Sequence, residues 1–224
     1  MGPILSIVIP TKNRYYYLEF LVKYFHSINS DKIELIIQDN SASEPSPSFK
    51  SFLNSLDDSR LFYSYCGLEL SVVENCDLAI RRAHGEYVTL IGDDDIFSKH
   101  LIKYLENCSY KQLDAILPNK GSYNWPDINA RFYKNKLSGI FRQKKISGQQ
   151  QSINANTVLE RVLKRGGTQI LDLPRVYHGV VRRNILEQVL RNLALIFQVQ
   201  VPICQMPLHY ANMLRTILRL ISHL

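Results

Sequence analysis

The sequence predicts an α/β fold in which a mostly parallel sheet is flanked by helices. Three observations lead to this prediction. Short apolar runs alternate with amphipathic stretches over the first 118 residues, a pattern typical of parallel strands joined by helices. Hydrophobic residues make up 46% of the chain and charged residues 21%, as in globular proteins. With 224 residues, the chain is long enough to bury one substantial core.

The predicted elements of the first half follow one another in regular order. Apolar, β-rich runs predict five strands, over residues 5–9, 34–38, 61–65, 87–91 and 114–117. Amphipathic stretches between them predict four helices, over residues 15–28, 46–56, 72–83 and 99–107. In a parallel sheet of this kind, the loops that follow the strands all lie at one edge.

The pattern becomes less regular after residue 118. Residues 119–152 are basic, aromatic and punctuated by glycine, which predicts a long loop or a short hairpin over the site. Helices over 156–165 and 184–195 and a strand over 176–181 are expected next. Residues 208–224 have the spacing of an amphipathic helix, which suits an anionic membrane surface or packing against the core equally well. We therefore divide the chain into halves 1–118 and 119–224 within one domain.

Charge is distributed unevenly between these halves. Residues 1–118 contain 11 Lys and Arg against 16 Asp and Glu, whereas residues 119–224 contain 16 against 4. A basic second half favours phosphate or anionic lipid as a partner, with nucleic acid as the rival. No nucleic-acid-binding motif accompanies the basic residues, so we expect no nucleic acid partner.

Cysteine usage and hydropathy indicate the compartment. The four cysteines have no paired spacing, which argues against a disulfide framework and favours a reducing, cytoplasmic location. The first apolar run is too short for a secretory signal, and no apolar span reaches membrane length. We expect a cytoplasmic protein, with peripheral contact at the inner face of the cytoplasmic membrane.

An acidic cluster follows the fourth predicted strand. The run ends in Gly92 and then Asp93, Asp94 and Asp95. Three adjacent carboxylates repel one another, so they need either a cation or full solvation. Their oxygen ligands suit Mg²⁺ or Mn²⁺, which in turn bind phosphates. The alternative is a solvated acidic turn.

Two polar loops are predicted at the same edge of the sheet. Residues 10–14 follow the first strand, and residues 39–41 follow the second. Arg14 could contact a phosphate, and Asp39 could accept hydrogen bonds from a ribose or a base. Each loop alone could be an ordinary turn or helix cap. Their shared position with the acidic cluster favours a binding site.

Several segments resemble those of family 2 glycosyltransferases in residue type, order and spacing. They are residues 6–14, 35–41, 75 and 83–95. The resemblance extends over about residues 4–118, half of the chain. It implies a GT-A fold with a Rossmann-like sheet, a nucleotide-diphosphate sugar as donor (a UDP-sugar above all), a divalent metal ion and transfer with inversion. One departure is Gly92, which occupies the place where the family commonly has the first aspartate of its metal-binding motif.

The resemblance also implies the site residues, position by position. The donor site would consist of Pro10, Thr11, Asn13, Arg14, Asp39, Asn40, Ser41, Asn75, Asp93 and Asp94. Among these, Asp39 would contact the nucleobase and Asp93 the ribose. Asp94 and Asp95 would bind the metal ion, Mn²⁺ or Mg²⁺.

The catalytic base is harder to assign from the sequence. An inverting transfer needs a carboxylate that deprotonates the acceptor hydroxyl. The family usually has this acid where residues 197–205 lie, and that segment contains none. The second half offers only four acids, namely Asp127, Glu160, Asp172 and Glu187. Asp172 is the base candidate, and His178 could contact the acceptor or be structural.

The predicted function is transfer of a sugar to a saccharide or a lipid-diphosphate-linked acceptor during synthesis of a surface polysaccharide such as O-antigen, lipopolysaccharide or capsule. Two alternatives remain at this point. The missing base allows a catalytically impaired protein that binds nucleotide sugars. A nucleotidyltransferase would also combine an α/β sheet with aspartates, but it normally has a glycine-rich phosphate loop after the first strand, and residues 10–14 contain no glycine.

Overall fold

The computed structural model of the chain describes residues 2–109, 113–126, 138–143, 150–170 and 172–193. The strands are β1 Leu5–Thr11, β2 Ile33–Asp39, β3 Leu61–Tyr65, β4 Tyr87–Leu90, β5 Ala115–Ile116, β6 Gly121–Tyr123, β7 Phe141–Gln143 and β8 Val180–Arg182. The helices are α1 Tyr15–His26, α2 Pro47–Ser55, α3 Val72–Ile80, α4 His100–Ser109, α5 Ala155–Lys164 and α6 Arg183–Leu193. Segment 197–205, the predicted helix 208–224 and Asp127 lie outside the described residues.

Six strands form the main sheet, in the order β3-β2-β1-β4-β8-β5. Strands β1 to β4 run parallel to one another, whereas β8 runs antiparallel to both of its neighbours, β4 and β5. The predicted α/β class with a mostly parallel sheet is therefore confirmed. The second half of the chain completes the sheet, because β8 lies between two strands of the first half.

The strand predicted over 176–181 differs from what the structure has. Only Val180–Arg182 forms a strand, while Tyr177 makes an isolated parallel bridge to Leu90. The chain reverses between them because His178 adopts a left-handed conformation with φ of 57°. A Cβ atom on Gly179 would lie 2.1 Å from the Arg175 carbonyl oxygen, so only glycine fits there.

Apolar side chains cover both faces of the sheet. On one face, α1 buries Leu18, Leu21, Val22 and Phe25 against alternate residues of β1 and β2, together with residues of α2 and α4. On the other face, Val8, Ile36 and Val88 pack against α3 and α6. This alternation follows from the two-residue period of a strand. The layers are helix, sheet and helix.

A tight junction fixes β4 beside β1. The Gly85 N–H donates to Ser6 Oγ at 2.8 Å, and Ser6 Oγ donates to Glu34 Oε1 at 2.5 Å. A Cβ on residue 85 would lie 2.6 Å from the Ser6 nitrogen, so the close approach requires glycine. This junction fixes the start of β4 against β1. The acidic cluster, which follows the other end of β4, therefore lies next to the loop that follows β1.

The less regular region after β5 contains the predicted short hairpin. Strands β6 and β7 pair antiparallel, with Tyr123 directly opposite Phe141. Further along, α5 and Leu173 form a small separate apolar cluster. Within the described ranges, none of the helices is both long and apolar enough to cross a bilayer.

Candidate active site

Three strands bring the candidate residues to one edge of the sheet. Thr11 at the end of β1 is in register with Asp39 at the end of β2, and the Asn40 N–H donates to the Thr11 carbonyl at 3.0 Å. The backbone continues past the end of β4, where the Ile91 N–H donates to the Val8 carbonyl at 3.1 Å. The three loops that follow these strands therefore meet, as the parallel order predicts.

Arg14 joins the first loop to the acidic cluster. Its Nε lies 2.7 Å from Asp93 Oδ1, and its Nη2 lies 2.5 Å from Asp94 Oδ2. Thr11 donates to the other Asp93 oxygen at 2.6 Å. The guanidinium also lies over the ring of Tyr17, 4.6 Å from its centroid. Arg14 thus supplies part of the positive charge that the aspartates need.

Burial and charge act in opposite directions on this group. Asp93 is only 5% exposed, and burial raises the pKa of its carboxyl, although hydrogen bonding from Thr11 and the charge of Arg14 oppose the rise. Partial burial works to lower the pKa of Arg14, but the charges of Asp93 and Asp94 outweigh it and raise the pKa. The charge of Arg14 therefore offsets part of the cost of burying the Asp93 carboxylate.

Asp39 forms the base of the second loop. It is fully buried, and Oδ2 accepts hydrogen bonds from Tyr15 at 2.7 Å and Tyr63 at 2.5 Å. Oδ1 accepts from the N–H and the hydroxyl of Ser41, at 2.8 and 2.5 Å. Burial, followed by the hydrogen bond to Asp39, raises the pKa of Tyr63. All of these contacts are within the protein, so Asp39 here fixes the loop from beneath.

Asn13 ties the first loop to the second. Its N–H donates to Ser41 Oγ at 2.8 Å, and its Oδ1 accepts from the Ala42 N–H at 3.1 Å. These two contacts hold Asn13 in a left-handed conformation with φ of 59°, which asparagine tolerates better than most residues. Asn40 meanwhile donates to the Leu70 carbonyl at 2.8 Å and ties the second loop to the segment before α3.

Asn75 lies beneath the same edge, on α3. It is 5% exposed, and its Nδ2 donates to the carbonyls of Thr11 and Gln38, each at 3.4 Å. Its Oδ1 and both amide atoms of the Gln38 side chain have no hydrogen-bond partner in the described part of the chain. Polar atoms left unpaired inside a protein are costly, and water or a ligand commonly satisfies them. Pro10, beside Gln38 in the register, is partly buried.

Asp95 has different partners from the other two aspartates. Its Oδ2 accepts from the Gly92 N–H at 2.8 Å and lies 2.7 Å from His178 Nε2. The other ring nitrogen of His178 lies 3.2 Å from Lys120 Nζ. His178 thus has a structural role, because its contact with Asp95 helps to hold that carboxylate in place.

Asp172, the base candidate, lies apart from this network. Its side chain is 64% exposed, and Oδ2 lies 3.7 Å from Arg161 Nη2 on α5. Both residues line a cavity of about 360 Å³ at the start of α5. Among the described residues, no hydrogen bond or ion pair links Asp172 to the aspartates at the sheet edge. Of the other acids, Glu160 is exposed and Glu187 pairs with Arg183 on α6.

The donor set fits a divalent metal ion that is shared with a phosphate. The side chains of Asp94 and Asp95 are 39% and 34% exposed, so oxygens of both can be reached from solvent. In the described ranges, no group of three or more His, Cys, Asp or Glu side chains is arranged as a metal cage. Mg²⁺ is usually bound by one or two carboxylates together with substrate phosphates, and two accessible carboxylates match that mode.

Some contacts in the site could not be predicted from the sequence. Tyr15 and Tyr63 approach Asp39, and the Trp125 Nε1–H donates to the Asp94 carbonyl at 3.1 Å. Each joins segments far apart in the chain. The available signals were Tyr15 directly after the loop 10–14, Tyr63 in the third predicted strand, and the single tryptophan in the loop expected over the site.

Comparison with known sequences identifies the kind of protein that shares these features. Residues 6–165 match the sequence model of glycosyl transferase family 2. The chain is 26% identical over 135 residues to glycosyltransferase GlyG of Streptococcus pneumoniae serotype 4, a match that covers 59% of this chain and 44% of GlyG. It is 29% identical over 93 residues to the GalNAc(5)-diNAcBac-PP-undecaprenol beta-1,3-glucosyltransferase of Campylobacter jejuni, which covers 42% of this chain and 30% of that protein. The chain thus spans less than half the length of these curated relatives.

Comparison with solved structures agrees on the fold. The structure of residues 1–349 of S. aureus TarS superimposes with a TM-score of 0.50 at 14% identity, covering 82% of this chain and 48% of TarS. The complex of the same TarS fragment with UDP-GlcNAc also gives a TM-score of 0.50 at 14% identity, covering 82% of this chain and 46% of that one. At this level of identity the likeness extends to the fold alone.

Proposed function

This chain belongs to glycosyl transferase family 2, and from that premise we propose that it is a glycosyltransferase. In this proposal it transfers a sugar from a nucleoside-diphosphate donor to a saccharide or lipid-diphosphate-linked acceptor, with inversion at the anomeric carbon. The observation that supports this most strongly is the bridge from Arg14 to Asp93 and Asp94, which joins the loops after β1 and β4. Such a site, at the carboxyl edge of the sheet, is where α/β proteins bind nucleotides.

In this proposal the donor lies along the three loops. The nucleoside would occupy the loops after β1 and β2, lined by Pro10, Thr11, Asn13, Asn40 and Ser41, with Asn75 beneath. Asp39 would hold the second loop in place against the nucleobase. Asp93 would provide the carboxylate that binds the ribose. Arg14 holds both Asp93 and Asp94 at 2.7 Å or less, so the oxygens that receive the donor are oriented before it arrives.

Asp94 and Asp95 would hold the divalent metal ion, Mn²⁺ or Mg²⁺. When bound, the ion neutralises charge on the departing nucleoside diphosphate. Asp94 is oriented by Arg14, and Asp95 by the Gly92 N–H and His178. The protein thereby fixes the direction of both carboxylates, as supporting contacts around metal ligands usually do.

The acceptor side needs a base and an open path. The acceptor hydroxyl oxygen would attack the anomeric carbon while its proton passes to a carboxylate, and the bond to the diphosphate oxygen would break on the opposite face. Asp172 is our candidate for that carboxylate. Its exposure of 64% leaves its oxygens accessible, and its one ion pair in the described part, with Arg161, is a weak constraint.

A lipid-linked acceptor is supported by charge and by one relative. The C. jejuni relative is named for its action on an undecaprenol diphosphate glycan. Residues 119–224 contain 16 Lys and Arg against 4 acids, which suits an anionic membrane surface. We therefore propose that the protein associates peripherally with the inner face of the cytoplasmic membrane and takes part in the synthesis of a surface polysaccharide.

The test is a panel of nucleotide sugars with the purified full chain and Mn²⁺. The UDP-GlcNAc complex of TarS makes UDP-sugars the first donors to try. We expect one donor to raise the melting temperature, since a ligand of the folded state stabilises it, and to release nucleoside diphosphate. Tight binding without release, even with lipid extracts as acceptor, would instead support a nucleotide-sugar-binding protein. An absence of binding across the panel would contradict the proposal.

A further inference from the structure

Six aromatic side chains lie beside the site, and five of them are linked by ring contacts. Helix α1 contributes Tyr16, Tyr17 and Phe20, and the hairpin segment contributes Tyr123, Trp125 and Phe141; we call these six residues the aromatic surface. The Trp125 ring lies 4.9 Å from Tyr17, 6.0 Å from Phe20 and 5.6 Å from Tyr123, between ring centroids. Phe141 is directly opposite Tyr123 in the hairpin, so both point to the same face.

Most of this surface faces outward. The exposed fractions are 67% for Tyr16, 49% for Phe20, 46% for Tyr123 and 61% for Phe141. Since a large aromatic side chain has about 150–250 Å² to bury, these four leave roughly 300–550 Å² exposed. That is as large as the largest apolar patch on a typical monomer, and such patches commonly mark an interaction site.

The fold does not require these side chains. Helix α1 buries its opposite face in the core through Leu18, Leu21, Val22 and Phe25. Tyr16 and Phe20, one turn apart, lie 5.2 Å from each other on the outer face. A polar pair there would leave the core contacts unchanged and avoid exposing apolar area to water. The aromatic residues are therefore better explained by something that binds them.

The chemistry of the surface favours a lipid bilayer over a soluble glycan. Phe20 and Phe141 offer no hydrogen-bonding group, whereas a saccharide site needs placed polar partners for its hydroxyls. Mixed Trp, Tyr and Phe side chains suit the interface between headgroups and acyl chains. Exposed Lys12, Lys120 and Arg142 lie on the segments that flank the surface. The net charge of +7 adds attraction to an anionic membrane.

The aromatic surface is also directly connected to the candidate active site. Trp125 donates to the Asp94 carbonyl at 3.1 Å, and Tyr17 lies under the guanidinium that binds Asp93 and Asp94. We propose that the aromatic surface docks on the membrane interface and so holds the acidic cluster at the level of the lipid headgroups. The inference rests on the proposed function for its lipid-diphosphate acceptor, whose diphosphate lies at that same level.

Trp125 is the only tryptophan in the chain, so its fluorescence reports on the proposed contact directly. The full chain is mixed with vesicles of phosphatidylglycerol and phosphatidylethanolamine, with and without lipids brominated near the glycerol backbone. We expect the chain to float with the vesicles and the Trp125 emission to shift to shorter wavelength. The brominated lipids should quench this emission roughly twofold or more, because residues bound at the interface lie at a shallow depth, near the brominated positions.

Substitutions then test which side chains make the contact. Tyr16→Ser with Phe20→Ser should weaken vesicle binding by about tenfold to a hundredfold, because two exposed aromatic side chains that would enter the membrane interface are lost. Tyr16→Ser alone should weaken it less and serves if the double variant folds poorly. Phe62→Ser is the matched control, and binding should not change. Phe62 is 44% exposed on the edge strand β3, in register with Ile36, which belongs to the sheet face opposite α1.

Four results would overturn the inference: no vesicle binding, binding without quenching of Trp125, self-association that Phe20→Ser abolishes, or protection of Trp125 from aqueous acrylamide before lipid is added. The last two mean that a second copy or another segment of the chain covers the surface. Release of nucleoside diphosphate is measured separately, without vesicles. Release without quenching rejects the docking surface alone, whereas quenching without release supports docking and counts against the proposed function.

Discussion

Two regions of the molecule hold their carboxylates in opposite ways: the proposed donor edge, where the loops after β1, β2 and β4 meet, and the proposed acceptor side around Asp172. At the donor edge, Asp39 and Asp93 are almost fully buried, and each accepts at least two hydrogen bonds or ion pairs. On the acceptor side, Asp172 is 64% exposed and lies 3.7 Å from Arg161. The difference indicates that the donor groups are oriented by the fold itself, whereas the base candidate is free to be oriented by its acceptor.

The largest effect should come from the acceptor side, although it is the looser of the two. Asp172→Asn should reduce the rate of sugar transfer by about 10²–10⁴, the range typical of a general base. The free energy of unfolding should change by less than about 0.5 kcal/mol, because the ion pair with Arg161 is exposed. Transfer kinetics and urea unfolding measure the two quantities.

Glu160→Gln is the control for that experiment, since Glu160 is exposed on the same helix as Arg161. It should leave both the transfer rate and the stability unchanged. If Asp172→Asn transfers sugar at the wild-type rate, Asp172 is not the base and the acceptor side has to be assigned differently.

At the donor edge, the main effect should be on stability. Asp39→Ala would leave the hydroxyls of Ser41, which is buried, and of Tyr15 and Tyr63, which are partly buried, without their acceptor. We therefore expect the free energy of unfolding to fall by about 3–5 kcal/mol. Chemical denaturation monitors the loss. Asp31→Ala, at an exposed position before β2, should have little effect, and equal losses in the two variants would contradict the role given to Asp39.

Each half contains an Asp–Arg pair, which allows the comparison to be made quantitatively. Hydrogen bonding from Arg60 holds the pKa of Asp58 well below its usual range, and the Asp58 side chain is 5% exposed. Because the folded-state pKa is depressed, the pair stabilises the fold above about pH 4 and loses this contribution as pH falls further. Asp58→Asn should cost about 1.5–3 kcal/mol at pH 7 and flatten the acid limb of the stability curve. An unchanged acid limb would contradict this assignment.

The matching substitution on the acceptor side should have the smallest effect. Arg161→Ala removes the partner of Asp172 but leaves both positions in solvent, so the stability should change by less than about 0.5 kcal/mol at any pH from 3 to 8. Thermal unfolding across that range checks it. A loss as large as that of Asp58→Asn would show that the two pairs are equivalent.

The donor edge was predictable because its residues follow strand ends. Once a parallel sheet is expected, Thr11, Asp39 and Asp93 must meet at one edge, and the structure brings them there. Contacts that join distant segments were not predictable: the left-handed His178 beside Asp95 and the antiparallel β8 depend on a turn that local propensity does not encode. Direct contact of Asp39 with a nucleobase stays a prediction, since the carboxylate is buried beneath its loop.

The measurement closest to the central claim is calorimetric titration of a nucleoside diphosphate, UDP first, with and without Mn²⁺. For the wild-type chain we expect Mn²⁺ to tighten binding by about tenfold or more, because the ion would link the diphosphate to two partly exposed carboxylates. In Asp94→Asn and in Asp95→Asn that gain should disappear while the melting temperature without ligand stays within a few degrees of wild type. The same Mn²⁺-dependent gain in both variants would contradict the assignment of this cluster to the metal and the diphosphate.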